Sequence, residues 1–257
     1  MKLIKFLLIA FMMMQASVDA YAAIVVQPDR HIVEVSPGEI KQVEYTIENR
    51  GLEPLDIIID PVGWAGTEDI YSWISLDSHK LYIDKENTNT LTINVTAPEG
   101  AEGEAVGMLF LCYKESEDAA LNMRNGVPIY IVVEGTQKYE LIIDNIDADI
   151  TENKKQKTLS IAVSVINKSN AHIKPDVALS IIDKEEIVVY QIDYKKPKIL
   201  LRGQKHTYNL RWRNPKLRKE EYLMKIAFSD EGKVDIEKEL TLSVTDSGIK
   251  TEERTSN

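Results

Sequence analysis

The chain of 257 residues carries 41 acidic and 31 basic side chains, a formal net charge of −10, and 44% of its residues are hydrophobic. This acidic balance argues against nucleic acid as a partner, because the phosphate backbone would be repelled. The single cysteine, Cys112, excludes an internal disulfide, so hydrophobic cores are expected to supply the stability.

The first 22 residues have the pattern of a secretory signal peptide. Lys2 and Lys5 form a basic start, LIKFLLIAFMMM is an apolar run too short to span a bilayer, and Ala20-Tyr21-Ala22 fits a cleavage site. No second long apolar run follows. We therefore expect an exported chain with no membrane span after cleavage. The periplasm is the preferred location, and an extracellular or cell-surface position is the second choice.

Alternation of apolar and polar residues predicts strands along nearly the whole mature chain, and no long amphipathic helix is indicated. In the first half, turn residues separate five such runs, which are Val43–Asn49, Leu55–Asp60, Thr90–Ala97, Ala105–Tyr113 and Val127–Gly135. Seven further runs follow between Tyr139 and Val244. The predicted fold class is therefore all-β.

The two halves of the mature chain repeat one another. TIENRGLEP in the first half corresponds to SVINKSNAH in the second, each a strand that ends in Asn and continues into a turn. Two tandem Ig-like β-sandwich domains are the simplest architecture for this repeat. The predicted division is a signal peptide over 1–22, domains over 23–135 and 139–245, a hinge over 136–138 and a polar, frayed tail over 246–257.

Sequence patterns for catalysis and for metal binding are missing. The four histidines form no HExxH or HxH pattern, and neither GxSxG nor GxxxxGK[ST] occurs. The chain is therefore predicted not to be an enzyme and to use no cofactor or metal. A metal-dependent hydrolase, built from distant His and Asp residues, is the remote alternative.

The order of several loose motifs carries a resemblance to a known family. They are the mature start AIVVQPDRHIVEVSPGE, the segment IEN before a turn, PEGAEGEAVGMLFLCY, and NGVPIYIVVEG at the end of the first domain. Together they resemble the periplasmic chaperones of the chaperone–usher pilus pathway. The resemblance is specific over about 23–135 and implies a chaperone with an Ig-like N-terminal domain.

That resemblance implies donor-strand complementation, in which a chaperone lends an edge strand to an incomplete pilin-like subunit. The donor would be the strand that closes the first domain, with side chains at alternate positions, namely Leu121, Met123, Val127, Ile129, Ile131 and Val133. In the competing interpretation, Ile129 to Val133 face the chain's own core, since both faces are apolar there. Leu121 and Met123, in a more polar context, are the preferred partner contacts.

The family also anchors the subunit's terminal carboxylate between an Arg and a Lys. Arg30 stands where the Arg is expected, in QPDRHIV, and is otherwise a surface charge. The Lys is missing, and IYIVVEG puts Tyr130 or a neighbour at that place.

The expected partners are a β-rich secreted or pilin-like subunit and an outer-membrane usher. The alternative function is a secreted structural or adhesive tandem of Ig-like modules that binds a cell-surface or glycan target. These two functions differ in what they require of the first domain's edge, which is unpaired and apolar in a chaperone and blunted or covered in an adhesive module.

Overall fold

The computed structural model describes residues 24–63, 70–115, 120, 122–153, 156–194, 198–246 and 248–253. These residues form seventeen β-strands and one short 3₁₀ helix, Ile70–Ser72. The prediction of an all-β chain with two tandem β-sandwiches is confirmed by these strands and their sheets. The predicted signal peptide and Leu121 lie outside the described residues.

The first sandwich contains nine strands in two sheets. They are β1 (Ile24–Gln27), β2 (His31–Val35), β3 (Ile40–Asn49), β4 (Leu55–Gly63), β5 (Ile74–Leu76), β6 (Lys80–Ile83), β7 (Thr88–Thr96), β8 (Glu104–Tyr113) and β9 (Met123–Val133). One sheet has the order β1-β3-β7-β5 and the other β2-β9-β8-β4-β6. From β1 to β2 the chain thus crosses from one sheet into the other.

The second sandwich contains the remaining strands. They are β10 (Leu141–Asn153), β11 (Gln156–Asn167), β12 (Asp176–Ile182), β13 (Val188–Tyr194), β14 (Lys205–Arg213), β15 (Glu221–Asp230), β16 (Val234–Thr245) and β17 (Gly248–Glu253). Its sheets have the orders β10-β11-β14 and β13-β12-β15-β16-β17. The frayed polar tail predicted over 246–257 is corrected for Gly248–Glu253, because this segment forms β17 and pairs antiparallel with Leu240–Thr245 of β16, while residues 247 and 254–257 lie outside the described residues. Backbone hydrogen bonds need no apolar side chains, so a polar segment forms this edge strand.

Each sandwich has its own hydrophobic core, filled by alternate residues of its strands. In β11, for example, Leu159, Ile161, Val163 and Val165 are buried while the residues between them are partly exposed. This period of two is the pattern that predicted the strands. The first core contains residues from Ile24 to Val133 and the second contains residues from Leu141 to Leu242.

The sequence repeat noted above corresponds to the same buried corner in both domains. Asn49 ends β3 and Asn167 ends β11, and both side chains are fully buried. Each Oδ1 accepts a hydrogen bond from the backbone N–H two residues ahead, that of Gly51 at 2.9 Å and that of Ser169 at 2.8 Å. Each Nδ2 donates to backbone carbonyls of a neighbouring loop. The asparagine therefore joins the strand end to the loop beside it.

Candidate partner-binding edge and domain junction

Strand β9 is the site of most of the predicted partner contacts, and it is covered unequally. On one side it pairs with β8 from Met123 to Val132. On the other side β2 pairs with it in parallel, but only from Ile129 to Val133. Within the described residues, the stretch Met123–Pro128 therefore has an unpaired outer edge, which we call the open edge.

Burial separates the predicted donor side chains into two groups. Val127 is 4% exposed and Ile129 is fully buried, and both belong to the first core. The expectation that these two side chains contact a partner is corrected, because they pack inside their own domain. Met123 lies on the same face of β9 but beyond the end of the core, and it is 38% exposed.

Asn125-Gly126 is a turn signal by sequence, but it forms no turn here, and β9 continues through both residues. Asn125 pairs with Leu111 and Gly126 pairs with Phe110. A Cβ at Gly126 would lie 2.9 Å from Cε1 of Phe110, closer than packed atoms allow. This glycine therefore makes room for the neighbouring aromatic ring, and the open edge stays extended.

Arg30 lies at the inner end of the open edge. It directly precedes β2, whose first residue, His31, is paired with Ile129. Its side chain is 48% exposed and contacts Asp29 at 3.3 Å. Hydrogen bonding and the charge of Arg30 lower the pKa of Asp29. The guanidinium is thus a surface group whose ion-pair partner is itself largely exposed.

Tyr130 is covered by the second domain. It is 8% exposed and packs with Val106 of β8 and with Leu201 of the second domain. Burial raises the pKa of its phenol, and the charge of Arg30 acts in the opposite direction. The apolar residues on both faces of β9 are therefore explained, since odd positions face the first core and Tyr130 faces the neighbouring domain.

Sequence reasoning missed a buried polar pair beside Tyr130. Glu104, the first residue of β8, is 6% exposed, and His172 of the second domain is 9% exposed. His172 Nδ1 forms a hydrogen bond with Glu104 Oε2. The histidine ring also lies 4.9 Å from the ring of Tyr130. The two residues are 68 positions apart in the chain, so no local pattern indicates the contact.

A groove of about 960 Å³ opens on the outer face of the first domain, next to the open edge. Its walls include Ile58 and Tyr82, which are 53% and 55% exposed, together with Met123 and Arg124. Arg124 forms an ion pair with Asp60 at 3.1 Å. The groove therefore combines an exposed aromatic ring with charged rims.

Metal ligands do not cluster in the described part of the chain, where no group of three or more His, Cys, Asp or Glu side chains is arranged to hold an ion. Within the same residues, no helix is long and apolar enough to cross a membrane.

Comparison with known proteins gives matches among solved structures alone. No protein-family model and no curated protein matches the chain. The YadV chaperone is 14% identical with a TM-score of 0.45, covering 86% of this chain and all of that one. The class 5 fimbriae chaperone CfaA is 11% identical with a TM-score of 0.48, covering 90% of this chain and all of that one. The CsuC–CsuE chaperone–tip subunit complex of Acinetobacter baumannii is 14% identical with a TM-score of 0.44, covering 85% of this chain and 98% of that one. Similarities this weak do not identify a function.

Proposed function

We propose that this chain is an exported chaperone that binds β-rich secreted subunits through the open edge of β9. The observation that carries the proposal is the unpaired outer edge of Met123–Pro128 in the described structure, on the side of β9 away from β8. An unpaired edge exposes N–H and C=O groups that hydrogen-bond to an added strand. Met123, 38% exposed beyond the end of the core, and Leu121 would supply the apolar side chains that enter the partner. An usher at the outer membrane would then receive the subunit.

The position of Arg30 supports one direction for the added strand. A strand on the open edge meets β2 end to end, because β2 occupies the edge from Ile129 onward. If the added strand runs parallel to β9, as β2 does, its C-terminal end arrives beside Arg30. A carboxylate there gains a charge-assisted hydrogen bond, whereas an amino terminus would be repelled. Tyr130, paired with Ile32 near this point, would form the second wall of the carboxylate site.

The test is to produce this chain together with the β-rich secreted proteins encoded by neighbouring genes and to measure whether it captures them. We expect a one-to-one complex on size-exclusion chromatography. Leu121→Glu combined with Met123→Glu should abolish the complex, because carboxylates cannot enter an apolar groove unpaired. Arg30→Ala should weaken it by about tenfold or more, since charged hydrogen bonds contribute about 1.5–3 kcal/mol.

A control is Val188→Glu, which introduces a carboxylate on an edge strand of the other domain. Val188 is 51% exposed in β13, a strand that pairs with β12 alone among the described residues. This variant should bind as the unaltered chain does. If the double variant still captures the subunit while remaining folded, binding does not use the open edge and the proposal is wrong.

An adhesive module is the second candidate, and the groove next to the open edge favours it. Exposed tyrosines and carboxylates are the groups that pack on sugar rings and bind their hydroxyls, and Tyr82, Glu53 and Asp56 line the groove. A glycan array distinguishes the candidates. Binding that disappears in Tyr82→Ala and persists in Arg30→Ala, which lies outside the groove, would support adhesion in place of strand addition.

A further inference from the structure

The junction between the two domains is organised by Asn170, in the loop after β11. All four of its hydrogen-bonding groups are used. Its N–H donates to Lys138 O at 3.1 Å, and its carbonyl accepts from Glu104 N–H at 3.0 Å. Its side-chain Oδ1 accepts from Lys138 N–H at 2.7 Å, and Nδ2 donates to Thr136 O at 3.0 Å. One residue of the second domain is thus bound to the hinge and to the start of β8.

Gly103 allows this close approach. A Cβ at this position would lie 2.4 Å from the carbonyl oxygen of Asn170, and its φ of +77° is unfavourable for other residues. Its N–H donates to Thr136 Oγ1 at 2.7 Å. The backbones of the two domains therefore touch directly at this point.

The Glu104–His172 pair lies next to this contact and continues it toward Tyr130. The Glu104 side chain is 2% exposed and that of His172 is 11% exposed. The histidine ring lies 4.9 Å from the ring of Tyr130, and Tyr130 also packs against Leu201. Two second-domain residues therefore hold the tyrosine ring, and the buried carboxylate holds one of them. Removing the Glu104 carboxylate would leave the buried His172 Nδ1 without this partner, and removing the His172 ring would leave the carboxylate with the longer hydrogen bond from His172 N–H at 3.5 Å, so both changes are costly.

We propose that His172, held by Glu104 and by the Asn170 contacts, is a positioning residue that fixes the Tyr130 ring at the inner end of the open edge. This inference rests on the proposed function in one respect, the assignment of Arg30 and Tyr130 to a partner's carboxylate. The second domain then contributes to strand binding without contacting the bound strand. Partner affinity depends on the junction as well as on the edge.

The coupling across the junction is measured without any partner. Glu104→Ala, His172→Ala and the double variant form a cycle whose unfolding equilibria are compared in urea. We expect the effect of the double variant on the unfolding equilibrium constant to differ by about tenfold from the product of the two single effects, as for other contacting buried pairs. Glu104→Ala with His206→Ala is the matched control, because His206 packs on Tyr208 inside the second domain and should be additive. Additive energies for Glu104 and His172 would overturn the proposal.

The positioning role is measured with a short synthetic peptide of alternating valine and threonine, made with a free C-terminal carboxylate and as the amide. The ratio of the two affinities reports the carboxylate contact alone. His172→Ala should lower this ratio toward the value of Arg30→Ala, and His172→Gln, which keeps a donor for Glu104, should restore part of it. An unchanged ratio in His172→Ala contradicts the positioning role. If the unaltered chain binds both peptides equally, the carboxylate assignment in the proposed function fails, and the cycle still measures the coupling.

Discussion

The buried asparagines that end β3 and β11, Asn49 and Asn167, are predicted to contribute strongly to the stability of their domains. Asn167→Ala removes the acceptor for Ser169 N–H and the donor to the carbonyls of Ala171 and Leu200. The Leu200 carbonyl keeps a second hydrogen bond from Ile173 N–H at 3.1 Å, so it is the least affected. The other two groups, the Ser169 N–H and the Ala171 carbonyl, each cost about 1–3 kcal/mol when buried without a partner. We expect a loss of about 3 kcal/mol in the free energy of unfolding.

The assay is urea unfolding followed by circular dichroism, with Asn49→Ala as the equivalent change in the first domain. Asn209→Ala is the control, since Asn209 is exposed and its amide donates a long hydrogen bond of 3.5 Å to Thr207 O. It should stay within about 0.5 kcal/mol of the unaltered chain. Asn167→Asp separates hydrogen bonding from volume, because it has nearly the same shape but directs a carboxylate at two carbonyls. If the Asp variant is as stable as the unaltered chain, or Asn167→Ala loses less than about 1 kcal/mol, the reasoning is wrong.

Three further predictions concern two buried tyrosines, one in each domain, and Gly126 of the first domain. The hydroxyls of Tyr45 and Tyr208 are buried without a hydrogen-bond partner in the described structure, so Tyr45→Phe and Tyr208→Phe should leave unfolding free energy unchanged or raise it by about 1 kcal/mol in urea melts. A decrease above that size would reveal an unseen partner. Burial raises the pKa of Tyr208 to about 12, above the unfolded value of about 10, so stability should fall as pH rises from about 10 to 12. Urea midpoints across that range should fall less in Tyr208→Phe, and equal falls would contradict the assignment. Gly126→Ala should destabilise the first domain by about 1–3 kcal/mol, because its Cβ meets the ring of Phe110, and Gly126→Ala with Phe110→Leu should recover part of the loss.

Alternation of apolar and polar residues predicted the strands, because a strand that buries one face needs an apolar residue at every second position, and this pattern can be seen in the local sequence. The repeat of TIENRG and SVINKS also predicted matching strand ends, and the structure adds that both asparagines are buried corners. Alternation cannot identify what covers the second face of a strand. Tyr130 illustrates the limit, since its cover comes from Leu201 and His172 of the other domain. Those contacts depend on how two separate sandwiches pack, which no local pattern contains.

The tail and Gly126 show two other limits. Strand β17 contains few apolar side chains and is held by backbone pairing with β16, so a hydrophobic pattern does not reveal it. An Asn-Gly pair is a strong turn signal when the chain must reverse. In β9 the glycine of this pair, Gly126, instead leaves room for the ring of Phe110, and the residues on both sides of it pair with β8. Composition alone does not separate these two uses of glycine.

The crossing between β1 and β2 determines how much of β9 is left open. Strand β1 belongs to the opposite sheet and pairs with β3 up to Gln27. Pro28 follows, and proline has no N–H to continue a ladder, so the chain leaves the first sheet there. It reaches β9 only at His31, opposite Ile129. If the chain crossed earlier in the sequence, β2 would pair with more of β9. If it crossed later, the edge of β9 from Ile129 onward would also be left unpaired. The length of the open edge and the position of Arg30 at its end therefore have one common cause in the segment Gln27–His31.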